Sequence, residues 1–132
     1  MFGWEFPPHI FGGLGTASYG LTEGLAQQPG VDAITFMVPH PYGDEDQSFV
    51  RLIGADTTPI VYRDLGPDEL RAHFGKRTTP EEYYRLRNHI YADFRYRYTD
   101  NAGCIPFAGG YPNNLLEEIN NYSIVAGVVA RA

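Results

Sequence analysis

Cysteine, basic residues and long apolar runs are what this chain has least of. Cys104 is its one cysteine, which excludes an internal disulfide and fits a reducing compartment. Lysine and arginine number 10 against 16 acids, a net charge of −6. Arg85, Arg87, Arg95 and Arg97 form the only basic run, and they share it with Glu81, Glu82 and Asp93. That mixture reads as a solvated helix face, so nucleic acid is not an expected partner. No apolar run is long enough to span a bilayer, and the N-terminus lacks the basic and continuous apolar regions of a signal peptide. The expected compartment is the cytoplasm, with no membrane partner.

Several chemistries are missing as well. There is no Gly-Lys-Ser/Thr for a P-loop, no H-E-x-x-H, and no G-x-S-x-G around a nucleophilic serine. His9, His40, His73 and His89 have no paired ligand spacing, so neither a protein metal site nor a cofactor is expected. Asp44-Glu45-Asp46 could bind a cation, but three adjacent acids in a loop usually read as solvated. Cys104 has no activating neighbour in sequence, which argues against nucleophilic catalysis by it.

What is present is a globular chain of one domain at most. It has 132 residues, 43% hydrophobic and 20% charged. Aromatics reach 14%, with 10 tyrosines; such rings can stack on sugar faces, although most serve packing. The order of elements is strand, loop, helix, strand. Met1 to Phe6 forms a short strand and residues 16 to 28 a helix, with Leu14, Ala17, Leu21 and Leu25 on one face. Pro29-Gly30 ends that helix, and Val31 to Val38 is apolar enough for a parallel strand covered on both faces. Phe49–Ile53 and Pro59–Tyr62 suggest a small antiparallel insertion. Thr79-Pro80-Glu81-Glu82 opens a helix reaching about Tyr98, with Tyr83, Leu86, Ile90 and Phe94 inward. After a loop from Asp100 to Asn113, Asn114-x-x-Glu117 resembles a capping box. It opens a last helix burying Leu115, Ile119, Tyr122, Val125 and Val129. The fold class expected is α/β, an incomplete Rossmann-like parallel sheet flanked by helices, over residues 1–132.

Gly12-Gly13-Leu14-Gly15 is the strongest local signal. It lies between the first strand, with Pro7-Pro8, and the first helix. The leading N–H groups of a helix have no internal partner and carry partial positive charge. Glycines let a phosphate approach that backbone. Gly12, Gly13, Leu14 and Gly15 are therefore assigned to substrate binding, with no catalytic acid or base identified. A dinucleotide is disfavoured: Ser18 stands where the third glycine of that fingerprint falls, and the second strand ends in Val38-Pro39-His40 without a ribose-binding acid.

The stretch from Phe2-Gly3-Trp4-Glu5-Phe6-Pro7-Pro8-His9-Ile10-Phe11 through the glycines to Thr16-Ala17 resembles the start of bacterial glycogen and starch synthases. Gly20-Leu21-Thr22, Leu25-Ala26 and Val31 to Pro39 continue the resemblance. It is dense over the first third and looser beyond. It implies the N-terminal half of a GT-B fold, in a retaining glycosyltransferase of family 5 or the neighbouring family 4. The implied donor is ADP-glucose or UDP-glucose and the implied acceptor an α-1,4-glucan. The second GT-B domain, absent from this sequence, would complete the cleft, so the isolated chain is expected to be inactive. Ile10 stands where many members carry lysine, and Thr16 where many carry an acid. Loop shape survives those changes; charged contacts do not. Two alternatives therefore stay open: another GT-B glycosyltransferase with a lipid, small-molecule or polysaccharide acceptor, and a non-catalytic sugar-binding module.

Overall fold

A computed structural model describes residues 1–60, 99–131 and, between them, Thr79, Glu81, Glu82 and Arg85. Helix α1 (Gly13–Ala26) is followed by strands β1 (Thr35–Val38) and β2 (Arg51–Gly54), a 3-10 turn (Ala55–Thr57) and helix α2 (Leu115–Arg131). β1 and β2 are parallel, with Thr35 opposite Arg51 and Val38 opposite Gly54. The N-terminal segment runs parallel along the other edge of β1. There Gly3 N–H donates to Met37 O and Met37 N–H to Met1 O, both at 3.0 Å, and Phe2 bridges Met37. Segment, α1 and β1 thus form a strand–helix–strand unit, and the class is α/β as the sequence indicates. The first strand is shorter than expected. Its pairing ends at Gly3, and the Trp4 indole N–H donates to Gly110 O at 2.6 Å.

β1 is covered on both faces because its side chains are apolar in unbroken succession. Phe36 and Met37 are fully buried and Val38 nearly so, and adjacent strand residues point to opposite faces. On one face Phe36 and Val38 pack with Phe6, Ile34 and Val50 against Tyr19, Leu25 and Ala26 around α1. On the other, Met37 packs with Ala55, Ile105, Phe107 and Val125 of α2. Each such buried side chain contributes about 1.5–3 kcal/mol.

Among the described residues the expected antiparallel insertion shows no antiparallel pairing. Arg51–Gly54 pairs with β1 in parallel, and the chain leaves it through the 3-10 turn, where the Thr57 and Thr58 hydroxyls donate to Gly54 O. After that turn, Ile60 N–H donates to Gly103 O at 3.0 Å. Residues 61 and 62 lie outside the described residues.

Both helices bury a face offset from the apolar stripe. In α1, Leu14 and Leu21 are 54% and 56% exposed, whereas Gly15 and Thr22 are buried. Small residues face inward here because the Glu5 side chain packs directly beneath the helix: a Cβ on Gly15 would stand 3.0 Å from Glu5 Cγ and 3.1 Å from Ile10 Cγ1. In α2, Val125 is buried and Tyr122 and Val129 are partly buried, as expected, but Ile119 is 44% exposed. Glu118 and Asn121 take the buried positions instead. Glu118, rather than Glu117, finds a backbone donor, the Ala108 N–H at 3.0 Å.

Thr79 is an N-cap as expected, and Glu82 extends it to a capping box: Glu82 N–H donates to Thr79 Oγ1 at 3.2 Å and Thr79 N–H to Glu82 Oε2 at 3.0 Å. The Thr79 amide, then the Thr79 side chain, hold the Glu82 carboxyl below its ordinary pKa. Tyr83, Leu86, Ile90 and Phe94 lie outside the described residues. Among the described residues no helix is long and apolar enough to cross a membrane.

Candidate functional site

Three parallel segments deliver their carboxyl ends to one place. The N-terminal segment leads into Trp4-Glu5, β1 into Pro39-His40 and β2 into Ala55-Asp56. Ligands of open α/β sheets bind at this edge. An open cleft of about 260 Å³, solvent-open space included, lies here. Trp4, Phe11 and Tyr42 supply its aromatic walls and His9, His40 and Glu45 its polar groups.

The four glycine-loop residues fall into two groups. Gly12 is the N-cap of α1 and Gly13 its first residue. Both are exposed, and a Cβ on either would meet nothing within 4 Å. Leu14 is exposed beside them. Neither Gly12 nor Gly13 has positive φ, so these glycines supply open backbone rather than a special turn. Gly15 differs. It is buried, and its N–H donates to Glu5 Oε1 at 2.8 Å. Phe11 N–H donates to Glu5 Oε2, also at 2.8 Å. Glu5, only 3% exposed, is an internal anion at the positive end of α1. The helix head is thus half occupied: Gly15 is committed within the protein, and Gly12, Gly13 and Leu14 face outward.

Two histidines join loops that are distant in sequence. His9 Nε2 lies 2.6 Å from Asp44 Oδ1, and its ring stacks on Tyr42 with centroids 3.9 Å apart. His40 Nδ1 lies 2.6 Å from Asp56 Oδ2. Asp56 Oδ1 is buried without a partner. A carboxylate on one ring nitrogen orients an imidazole and fixes which nitrogen remains for a ligand; for His40 that is Nε2.

A second glycine pair closes the site from the far end of the chain. Gly109 and Gly110 have φ of 75° and 63°, a left-handed turn that other residues adopt only at a cost. A Cβ on Gly109 would stand 2.7 Å from the Tyr42 hydroxyl oxygen, and one on Gly110 would touch the Phe11 ring. Beneath, Tyr122 stacks edge-on against Trp4 at 5.4 Å and donates its hydroxyl proton to Met37 O at 2.7 Å. Burial pushes the Tyr122 phenol far above its ordinary pKa, so it stays a donor. Cys104 is buried, and burial raises its thiol, with the Asp100 and Asp56 charges adding to the effect. A buried, protonated thiol is a poor nucleophile.

Sequence reasoning singled out the glycine loop, placed the Pro39–Asp46 loop at the ligand edge of the sheet, and missed Glu5, Asp56 and Gly109-Gly110. One signal for Glu5 exists, an acid directly before Phe-Pro-Pro in an otherwise apolar segment. The other residues reach the site through long-range contacts that no local pattern encodes. Compared with protein-family models, with curated proteins and with solved structures, the chain matches none of them.

Proposed function

We propose that this chain is the N-terminal half of a cytoplasmic GT-B glycosyltransferase of the glycogen or starch synthase type. It would pass glucose from ADP- or UDP-glucose to an α-1,4-glucan, with a second domain completing the cleft. The observation carrying this reading is the open head of α1. The space beside the Gly12 and Gly13 backbone, where a Cβ would stand, is clear of neighbours to 4 Å, and it adjoins a cleft walled by Trp4, Phe11 and Tyr42. Backbone dipoles aimed at a leaving diphosphate stabilise its developing charge without a proton donor, and aromatic faces accept the apolar faces of glucose. A second reading, a sugar-binding module without phosphate contact, is favoured by Glu5, which already takes the Gly15 amide.

Trp4, the only tryptophan, lies in the cleft and serves as the reporter. Titration with UDP-glucose or ADP-glucose should change its fluorescence, and Gly13→Val should weaken that response at least tenfold with an unchanged melting temperature. A response to malto-oligosaccharide alone, with none to either nucleotide sugar, selects the binding module. A Gly13→Val protein that binds nucleotide sugar normally removes the helix head from the site and sinks the reading.

A further inference from the structure

The parallel register sets Val38 of β1 beside Gly54 of β2. Two residues beyond each strand end, His40 and Asp56 therefore fall side by side. The Asp56 N–H donates to Pro39 O at 3.1 Å, and His40 Nδ1 lies 2.6 Å from Asp56 Oδ2. A carboxylate accepts and cannot donate, so Nδ1 carries the proton and, in the neutral ring, Nε2 keeps a lone pair. The Asp56 side chain is 17% exposed, and its Oδ1 is buried without a partner. Keeping a carboxylate with an idle oxygen in such a place costs stability; the hydrogen bond it does make orients the ring.

With Nδ1 taken by Asp56, Nε2 is the polar atom that His40 keeps for the cleft it lines. Tyr42 meets the His40 ring edge-on, with centroids 5.0 Å apart. A Cβ on Gly109 would stand 3.5 Å from His40 Cδ2, the carbon bonded to Nε2, so this glycine leaves the Nε2 edge uncovered. The carboxylates lining the cleft, of Glu5 and Glu45, accept hydrogen bonds too. Among the described residues no lysine or arginine lines it. Acceptors set between the apolar faces of Trp4 and Phe11 suit an uncharged ligand that donates from hydroxyls and has apolar faces of its own, which is a sugar.

We propose that His40 Nε2 accepts a hydrogen bond from a hydroxyl of the glucan unit held in the cleft, with Asp56 as the positioning residue that keeps the ring in its accepting tautomer. A site built around such an acceptor selects for the hydroxyl, because a ligand without it leaves the acceptor unpaired. The α-glucan as ligand rests on the proposed function and is common to both readings given there, the transferase and the sugar-binding module. The diphosphate is left to the open head of α1, and the acid-lined cleft to the uncharged sugar.

Proton–nitrogen correlation spectra of the histidine rings in the wild-type chain should show His40 with its proton on Nδ1, and added maltotriose should shift its Nε2 resonance. His40→Asn identifies those signals and tests the role. Its amide nitrogen can replace Nδ1 at Asp56, but nothing replaces Nε2. This variant should weaken the Trp4 fluorescence response to maltotriose about tenfold, with an unchanged melting temperature. Asp56→Asn, whose amide can donate to Nδ1, should bring the proton to Nε2 and weaken maltotriose to a similar degree. A His40 proton on Nε2 in the wild type overturns the proposal. So does maltotriose binding that leaves the His40 resonances or the His40→Asn affinity unchanged, and so does the lack of any response to maltotriose. Unchanged affinity in Asp56→Asn removes the positioning role. Maltotriose binding through His40, with no response to either nucleotide sugar, keeps the proposal and selects the binding module over the transferase.

Discussion

The heads of the two helices solve the same electrostatic problem in opposite ways. α1 carries no acid in its first turn; it receives a carboxylate from outside, and both oxygens of that carboxylate are used. α2 carries Glu117 and Glu118 in its first turn, and Glu118 sends one oxygen out to the Ala108 amide while its other oxygen is buried without a partner. Self-supplied acids close the head of α2 to an anion. A borrowed acid at one amide leaves the glycine side of α1 open. Of the two, only α1 has a first turn free of acids of its own.

The same isosteric substitution should therefore act with opposite sign at the two heads. Glu5→Gln keeps one acceptor and turns an NH₂ toward an N–H that had a carboxylate oxygen, inside a site that is 3% exposed. Losing a charge-assisted bond and leaving a buried donor unpaired costs about 2–3 kcal/mol. Glu118→Gln keeps the carbonyl oxygen for Ala108 and exchanges a buried, unpartnered charged oxygen for a neutral amide, which is cheaper to desolvate. It should be neutral or stabilising by up to about 1 kcal/mol. Urea denaturation of both variants checks this; equal losses would show that the two carboxylates play equivalent parts.

Within α1 the comparison narrows to two glycines two residues apart. Gly15→Ala places a Cβ 3.0 Å from Glu5 Cγ and 3.3 Å from Glu5 Cδ, pushing the carboxylate off the helix. Overpacking of this kind costs about 1–3 kcal/mol. Gly13→Val meets nothing, and valine is no worse than glycine in a helix, so stability should change by less than about 0.5 kcal/mol. Thermal melts of the pair decide. A Gly15→Ala protein as stable as wild type would mean that Glu5 moves freely and does not shape the loop.

This division was only partly legible in the sequence. A helix starting near Gly12-Gly13 could be read, although α1 begins at Gly13 rather than at residue 16, and so could the both-faces burial of β1 from its unbroken apolar run, because both are local patterns. The buried faces of the helices were misjudged at Leu14, Leu21 and Ile119, where packing chose Gly15, Thr22, Glu118 and Asn121 instead. Apolar periodicity cannot register a face that buries glycine and polar groups. The parallel pairing of β2 with β1 also escaped, because two short apolar runs around Gly54-Ala55-Asp56 read locally as a hairpin. His9 with Asp44 and His40 with Asp56 have no ligand spacing in sequence; the sheet edge supplies their proximity.

The smallest effect expected separates the body of α1 from its head. Tyr19, beyond the first turn, donates its hydroxyl to Asp46 Oδ2 at 2.6 Å, and Ser48 donates to Asp46 Oδ1 from both hydroxyl and backbone. The Ser48 hydroxyl, then Tyr19, hold the Asp46 carboxyl below its ordinary value of 3.8. The bond to Asp46, then burial, holds the Tyr19 phenol above 10.0. A depressed carboxyl contributes stability above its unfolded value and loses it as pH falls through the lower folded one. A raised phenol contributes below its unfolded value and loses it as pH rises through the higher folded one. Urea midpoints measured from about pH 2 to about pH 11 should therefore fall at both ends. Asp46→Asn should flatten the acid limb below 3.8 and soften the alkaline limb above 10.0, and leave the Gly13 response to nucleotide sugar unchanged. Superimposable profiles for wild type and Asp46→Asn would show that this tie contributes nothing to stability. Loss of nucleotide-sugar binding in the same variant would show instead that the head of α1 depends on its body, and the contrast between the two helix heads would no longer be one of local chemistry.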